Sequence, residues 1–235
     1  MTSMVNYSKD IVDLLPELHV CCLRIENLHD RVDVTDSVNE NIVFAKQTID
    51  KLQTESAIDS ISHWRRAYRK AGIEPTKFRM AAESLLRRLR KQGNLPETLH
   101  PLVLICNALS VKHCLPIAVL DTDEINGNLW VSYTKGGERY LDFNGNEILM
   151  PSNEVSFIDE KNNAHARKWS HKQSGLSVVR NSTQNAIIII EALSPLQNNE
   201  SLPVIEELKS LIDKYWPGSI AECSIRHSNM LISNY

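Results

Sequence analysis

The sequence predicts an α+β fold, a mixed β-sheet core flanked by helices, from three observations. Apolar residues recur at three- and four-residue spacing through much of the first half of the chain and again near the C-terminus, the signature of helices. From Leu115 onward, short runs of β-branched and aromatic residues bounded by Gly, Asn and Pro replace that pattern, the signature of strands. Helix and strand signals come in blocks as well as in alternation, which favours α+β over a regular βαβ fold.

Each element can be justified in order. After a short polar start, apolar residues on both sides of Pro16 predict a turn leading into a strand over His19–Ile25. Ile42, Ala45, Ile49 and Leu52 predict a helix over Val38–Gln53. Ser62 is placed to cap the next helix, Gly72 to end it, and Pro75 to open another that reads Thr76–Lys91 and stops at Gly93-Asn94. In that helix Leu85, Leu86 and Leu89 are expected to face inward. Pro101–Ser110 reads as a largely apolar helix. Short strands are then expected at Ile117–Leu120, Asn128–Tyr133, Arg139–Phe143, Val155–Ile158, Ala164–Trp169 and Ala186–Glu191, with Asn144-Gly145 as a hairpin turn. The run Ala186-Ile187-Ile188-Ile189-Ile190 is apolar on both faces and is expected to be a central, doubly covered strand. Val204–Trp216 is helical, stopped by Pro217-Gly218.

Composition narrows the function classes. With 235 residues, 42% hydrophobic and 23% charged, the chain is long enough for a core that needs no staples. The five cysteines, Cys21, Cys22, Cys106, Cys114 and Cys223, include no pair at the two-residue gap of metal ligands, and the odd number fits a reduced cytoplasmic compartment. The eight histidines are scattered, so no metal and no cofactor is expected. No Gly-rich phosphate loop is present, which argues against a nucleotide hydrolase. No apolar run is long enough to span a membrane.

Charge is distributed unevenly. Ser62–Lys91 carries ten Lys and Arg against two acids, Glu74 and Glu83, within a chain of formal charge −3. A concentrated positive field on an otherwise acidic body is the footprint of phosphate binding. Arg65, Arg66, Arg69, Arg79, Arg87 and Arg88 are the candidate nucleic-acid contacts. Trp64 and Tyr68, interleaved with them at helical spacing, are expected to fill the core instead.

The same stretch carries a resemblance. Ser62-His63-Trp64-Arg65-Arg66-Ala67-Tyr68-Arg69-Lys70-Ala71-Gly72-Ile73-Glu74-Pro75, then Phe78-Arg79, Glu83–Arg88 and Leu95-Pro96, resembles stand-alone proteins related to the B3/B4 editing domain of the bacterial phenylalanyl-tRNA synthetase β subunit. Leu102–Ser110 is similar to that domain's helix with its Asn, Leu115–Asp121 to its Pro-to-Asp strand, and Gly127–Val131, Gly137-Glu138, Arg167-Lys168-Trp169, Gln173-Ser174 and Thr183–Glu191 to its later segments. The resemblance implies an N-terminal extension over residues 1–60 packed on the core, a B3/B4-like domain over 61–195, and a C-terminal helix and strand over 196–235 completing it. It also implies a pocket for the aminoacylated 3′ end of tRNA, and an aminoacyl-tRNA deacylase that hydrolyses the ester with water. Asn107, Glu138 and Glu191 become the catalytic candidates, and Asp121, Gly127, Trp169 and Ser174 the ligand-pocket candidates. The chain departs from the family at Ala118, where the synthetase domain has a histidine, which leaves a non-catalytic tRNA- or amino-acid-binding module as the alternative. Cys106 and Cys114 lie in apolar settings and are expected to be inert.

Overall fold

The isoleucine run becomes the most heavily buried strand of the protein. In the computed structural model, which describes residues 5–97, 99–194 and 199–231, β10 (Ala186–Leu193) is buried at all eight positions. It lies between β2 (Leu18–Ile25) and β3 (Ile117–Asp121) in an antiparallel four-stranded sheet of order β11-β2-β10-β3, closed at the other edge by β11 (Ile220–His227). The register puts Ile189 opposite Cys22 on one side and Ala118 on the other. Because side chains alternate along a strand, Ile188 and Ile190 enter one core layer while Ile187 and Ile189 enter another. That is why an unbroken apolar run suits this position.

The first layer packs under α5 (Pro101–His113) and α6 (Ser201–Tyr215), with Leu102, Ile105, Leu109, Val204, Leu208 and Ile212 buried. The opposite layer holds α1 (Lys9–Leu14), α3 (Asp59–Lys70), α4 (Ala81–Gln92) and a second, mixed sheet. In that sheet β1 (Val5–Tyr7) pairs parallel with β4 (Leu129–Tyr133), which pairs antiparallel with β7 (Val155–Asp159). Two hairpins complete the fold, β5 (Arg139–Leu141) with β6 (Glu147–Leu149), and β8 (Ala166–Arg167) with β9 (Lys172–Gln173). The remaining helix, α2 (Thr35–Ile49), lies against α4 and α5. The expected α+β class is what forms, and residues from both ends of the chain supply strands to its main sheet.

Several boundaries differ from expectation for local reasons. Helix α3 starts at Asp59, so Ser62 sits inside its first turn rather than capping it. Its apolar stripe, Ile61, Trp64, Ala67 and Tyr68, is buried as the spacing requires. Helix α4 starts only at Ala81, because Phe78 N donates to Glu74 O and the segment after Pro75 closes as a turn. Met80 Sδ accepts from Glu83 N at its start, and Gly93 ends it in the left-handed region at φ +78°. Helix α5 runs on to His113, with Pro101 in its first turn and His100 Nδ1 accepting from Leu102 N. The Asn144-Gly145 hairpin forms, but Asp142 accepts from both Asn144 N and Asn146 N, widening the loop beyond the two residues the dipeptide suggested. The stretch Ala164–Trp169 keeps only two strand residues. Val5–Tyr7, Lys9–Leu14 and Glu147–Leu149 are elements that short, polar-interrupted sequence did not announce. The polar start at residues 1–4 lies outside the described residues.

Ile188 is fully enclosed and paired on both sides. Ile188→Ala is expected to destabilise the protein by about 2 to 5 kcal/mol, the cost of the lost methyl groups plus a residual cavity. Urea denaturation of the variant against the parent measures it, and coincident curves would show that the strand is not the core.

Candidate active site

A cavity of about 250 Å³ opens between the four-stranded sheet, α4, α5 and the segment from His165 to Gln173. Its apolar wall includes Leu85 of α4, Ala118 and Leu120 of β3, Phe157 of β7, and Trp169. Its polar lining includes Ser84, Asn107, His171, Gln173 and Glu191. Strand alternation places these groups: Ala118 and Leu120 share one face of β3, and Glu191 follows Ile187 and Ile189 on the same face of β10.

Glu191 is only 2% exposed. Its Oε1 accepts from the Tyr7 hydroxyl at 2.7 Å and from Trp169 Nε1 at 2.9 Å, while Oε2 receives only a longer 3.2 Å contact from Trp169. Burial pushes this carboxyl up to about 7, although both donors pull it back towards the ionised form. Both oxygens are therefore engaged by the protein, Oε1 by two close donors and Oε2 by one longer contact.

Trp169 is placed by an unusual piece of backbone. Lys168 and Trp169 are both left-handed, at φ 47° and 60°, a conformation that costs roughly 1–2 kcal/mol for each side-chain-bearing residue. Glu154 secures the turn. Its buried carboxylate takes a two-pronged contact from Arg167 at 2.9 and 3.0 Å, together with Lys168 N at 3.0 Å and Lys168 Nζ at 2.8 Å. Burial opposes ionisation of Glu154, but these donors hold its carboxyl below the ordinary range. On its other side the indole of Trp169 meets Trp64 edge-on at 5.4 Å and stacks on Tyr68 at 6.4 Å. The Tyr68 hydroxyl accepts from Ser170 N. The two α3 aromatics, buried as expected, thus position the cavity's tryptophan.

His165 is a lining residue that the sequence did not single out. Its Nδ1 lies 2.8 Å from Ser177 Oγ and its Nε2 3.4 Å from Asp159 Oδ2. Burial raises the Asp159 carboxyl, yet the nearby His165 ring and hydrogen bonds from Asn163 and Asn126 outweigh it and hold the acid well below its ordinary value. The row resembles a nucleophilic triad in residue type only. Ser177 is completely buried and is not among the cavity lining, so it cannot meet a substrate.

Of the seven catalytic and pocket candidates, the structure brings Asn107, Trp169 and Glu191 to one cavity. The other four are elsewhere, each with a local task. Glu138 accepts from Lys135 N at 2.6 Å and Gly136 N at 3.0 Å, bracing a turn. Asp121 accepts from the Thr183 hydroxyl and from Asp123 N. Ser174 Oγ bonds to both the N and the O of Leu141. Gly127, at φ +73°, lies against Glu160, whose carboxylate would stand 2.3 Å from an added Cβ, so the close approach there is internal. Cys106 and Cys114 are buried, and burial pushes both thiols up, Cys114 to about 11. His113 bonds to Glu207 at 2.8 Å and is not part of the cavity lining.

None of the six candidate arginines lines the cavity. Arg65 is committed to the buried Glu83 at 2.6 Å, with Arg79 3.8 Å from the same carboxylate. A third cation, Arg90, is tied to the buried Glu55 at 2.6 Å. Arg66, Arg69 and Arg88 are exposed and Arg87 is half-buried. Arg88 stands three and four positions beyond Leu85 and Ser84, on the helix face that reaches the cavity. Arg66 and Lys70 line a separate depression with His63 and Glu17. Among the described residues no cluster could hold a metal ion, and no helix is long and apolar enough to cross a membrane.

The family model described as the B3/4 domain matches residues 63–215, well over half of the chain, and the protein belongs to that family. A crystal structure of an N-terminal fragment of the phenylalanyl-tRNA synthetase β-subunit from Pyrococcus horikoshii is similar, with 10% identity and a TM-score of 0.45 over 96% of this chain and 51% of that one. The chain therefore spans about half of that fragment. No curated protein matches the sequence.

Because the native Glu191 carboxyl binds its proton more tightly than the ordinary value of 4.5, folding takes up a proton between about pH 4.5 and 7. The group's contribution is complete below that window and lost as pH rises through it, by about 3 kcal/mol in all at roughly 1.4 kcal/mol per tenfold change in proton affinity. Glu191→Gln is expected to abolish this component. Urea melts of parent and variant across the window should give a stability difference that falls with pH, and a flat difference would place the titration elsewhere.

Proposed function

We propose that the protein is a hydrolase acting on aminoacylated tRNA, with the aminoacyl group held in the Asn107–Trp169–Glu191 cavity and its ester cleaved by water. The observation that carries this reading is the Glu191 carboxylate. It lines the cavity beside the apolar wall, has one oxygen held by a single 3.2 Å contact, and is poised near neutrality, where a group can accept a proton from water and return it. Membership of the B3/4 family supports the substrate class. The cavity volume is below the roughly 300–1,000 Å³ of sites for drug-sized ligands and suits a single amino-acid residue.

In this reading Asn107 holds the ester or the amino group, Leu85, Leu120 and Phe157 cover the side chain, and Trp169 fixes the direction of the carboxylate. Glu138, Asp121, Ser174 and Gly127 act through the turns they brace. Arg88 and Lys91, exposed on α4, meet the incoming phosphates, while Arg65, Arg79 and Arg90 hold the fold.

A second reading has one observation in its favour. Ala118 presents a methyl group to the cavity where the synthetase domain has its histidine, which suits a module that binds an aminoacyl end without turning it over. Following ester loss across a panel of aminoacyl-tRNAs separates the two. The hydrolase reading expects deacylation of at least one member, a loss of about 10²- to 10⁴-fold in Glu191→Gln, and a clear loss in Asn107→Ala. Binding without ester loss, unchanged in Ala118→His, would replace it with the binding module.

The cations are expected to divide in the same way. Arg88→Glu and Lys91→Glu should weaken tRNA binding and lower the slope of affinity against salt by about 0.7 to 0.9 per lost contact. Arg65→Met should instead cost stability, up to about 3 to 5 kcal/mol, because the buried Glu83 loses its close partner and keeps only Arg79 at 3.8 Å. Filter binding over a salt series and urea melts read the two effects separately.

A further inference from the structure

The two edges of the main sheet are treated differently. At the β3 edge, Gln173 Nε2 donates to Val119 O at 2.9 Å and Asp121 N donates to Ser177 O at 2.9 Å, so the segment Gln173–Ser177 covers it. At the other edge, β11 pairs only with β2 among the described residues. An edge strand offers unpaired N–H and C=O groups to another chain unless a proline, a bulge, placed charge or a covering segment blunts it. The one bulge of β11 lies at its start, between Ile220 and Glu222, and from Glu222 to His227 the strand follows β2 in unbroken register without a proline. Ala221, Glu222, Cys223 and Ile225 are exposed.

We propose that β11 pairs antiparallel with β11 of a second copy of this chain, joining the two main sheets into one. The strand's own side chains select that partner and the register. A two-fold axis perpendicular to the sheet leaves each face on its own side, and side chains alternate along a strand, so the axis must pass through a residue. An axis at Ser224 sets Glu222 opposite Arg226 of the second copy, twice by symmetry, and on the other face sets Cys223 opposite Ile225. An axis at Glu222 sets the two Glu222 carboxylates against each other, and axes at Cys223 or Ile225 place only a serine opposite Glu222. Directly opposed unlike charges stabilise a strand pair and like charges destabilise it, so the Ser224 register is selected. Arg226 is also short of a partner: it donates to Val5 O, its buried Nε has no hydrogen bond, and among the described residues no ion pair engages it. Glu222 already stands 3.8 Å from Arg24 on β2. In the dimer it lies between that arginine and Arg226 of the second copy, an alternating row of charge across the joined sheet. The Glu191 cavity is beside β3, at the far edge, and stays open in both copies. A join made by one strand pair is smaller than an obligate interface, so the dimer is expected to dissociate on dilution.

Sedimentation velocity of the full chain over a dilution series tests this. The parent is expected to pass from dimer to monomer. Glu222→Lys sets a lysine against Arg226 twice in each dimer and should weaken association by about tenfold or more. Arg226→Glu sets acid against acid and should weaken it similarly. Mixing the two variants restores unlike charges at both positions of the heterodimer and should return association to near the parent's. Circular dichroism establishes that each variant is folded. Should Arg226→Glu unfold, Glu222→Gln and Glu222→Lys, both at an exposed position, carry the test by weakening the dimer progressively in that order. A parent that stays monomeric at the highest concentration, a dimer indifferent to both Glu222 variants, or folded single variants that do not recover on mixing would each overturn the proposal.

Discussion

A buried carboxylate sets the terms for much of this structure. Moving Glu191 out of water is costly unless its charge is matched by hydrogen bonds, and two donors from distant parts of the chain supply them. Tyr7 comes from the N-terminal strand and Trp169 from the left-handed turn after β8. The Tyr7 bond ties a three-residue strand, which has little stability by itself, to the central strand of the main sheet. The Trp169 bond requires a turn that is strained by itself, and the turn is held by Glu154 below and by the α3 aromatics beside it. Removing any of these supports would act on the orientation of one carboxylate.

The same logic governs the positive segment. Three buried acids, Glu83, Glu55 and Glu154, each take arginine as partner. Arginine suits this work because its planar guanidinium stays charged and can satisfy a carboxylate while its stem packs. In consequence a run of cations that looks like one electrostatic patch is divided by the fold. Arg65, Arg79 and Arg90 neutralise interior charge, and Arg66, Arg69, Lys70, Arg88 and Lys91 remain exposed. The field available to a polyanion is narrower than composition suggests, and part of it lies on the helix whose face lines the cavity.

The chemistry follows from unequal use of Glu191's two oxygens. Hydrogen bonds to Oε1 fix the carboxylate's direction, while burial raises its affinity for a proton to near neutrality. A group so placed can exchange a proton with a bound water, and the apolar surroundings strengthen any polar contact that a ligand makes there. Ala118 adds shape but no chemistry. In the hydrolase proposed above, the proton-transfer role in this cavity falls to Glu191, beside the amide of Asn107.

Much of the fold was legible in order and periodicity. The isoleucine strand, the aromatic stripe of α3, the Gly93 stop and the α+β class all follow from short-range rules, and three of the residues marked by the B3/B4 resemblance, Asn107, Trp169 and Glu191, line one cavity. Glu138 and Asp121 carried the same resemblance but turned inward to brace turns, because an acid in a short motif can serve backbone N–H groups as well as a ligand. Tyr7, Glu154 and His165 gave no local signal, since the contacts that give them importance reach partners 12 to 184 residues away. The sequence by itself determined the longer helices, the central strand and their apolar faces, because those depend on neighbours within a few residues. Only the tertiary structure decided which arginines stay free, which acids are buried, and which site candidates share a cavity, because each depends on strands and helices brought together from distant parts of the chain.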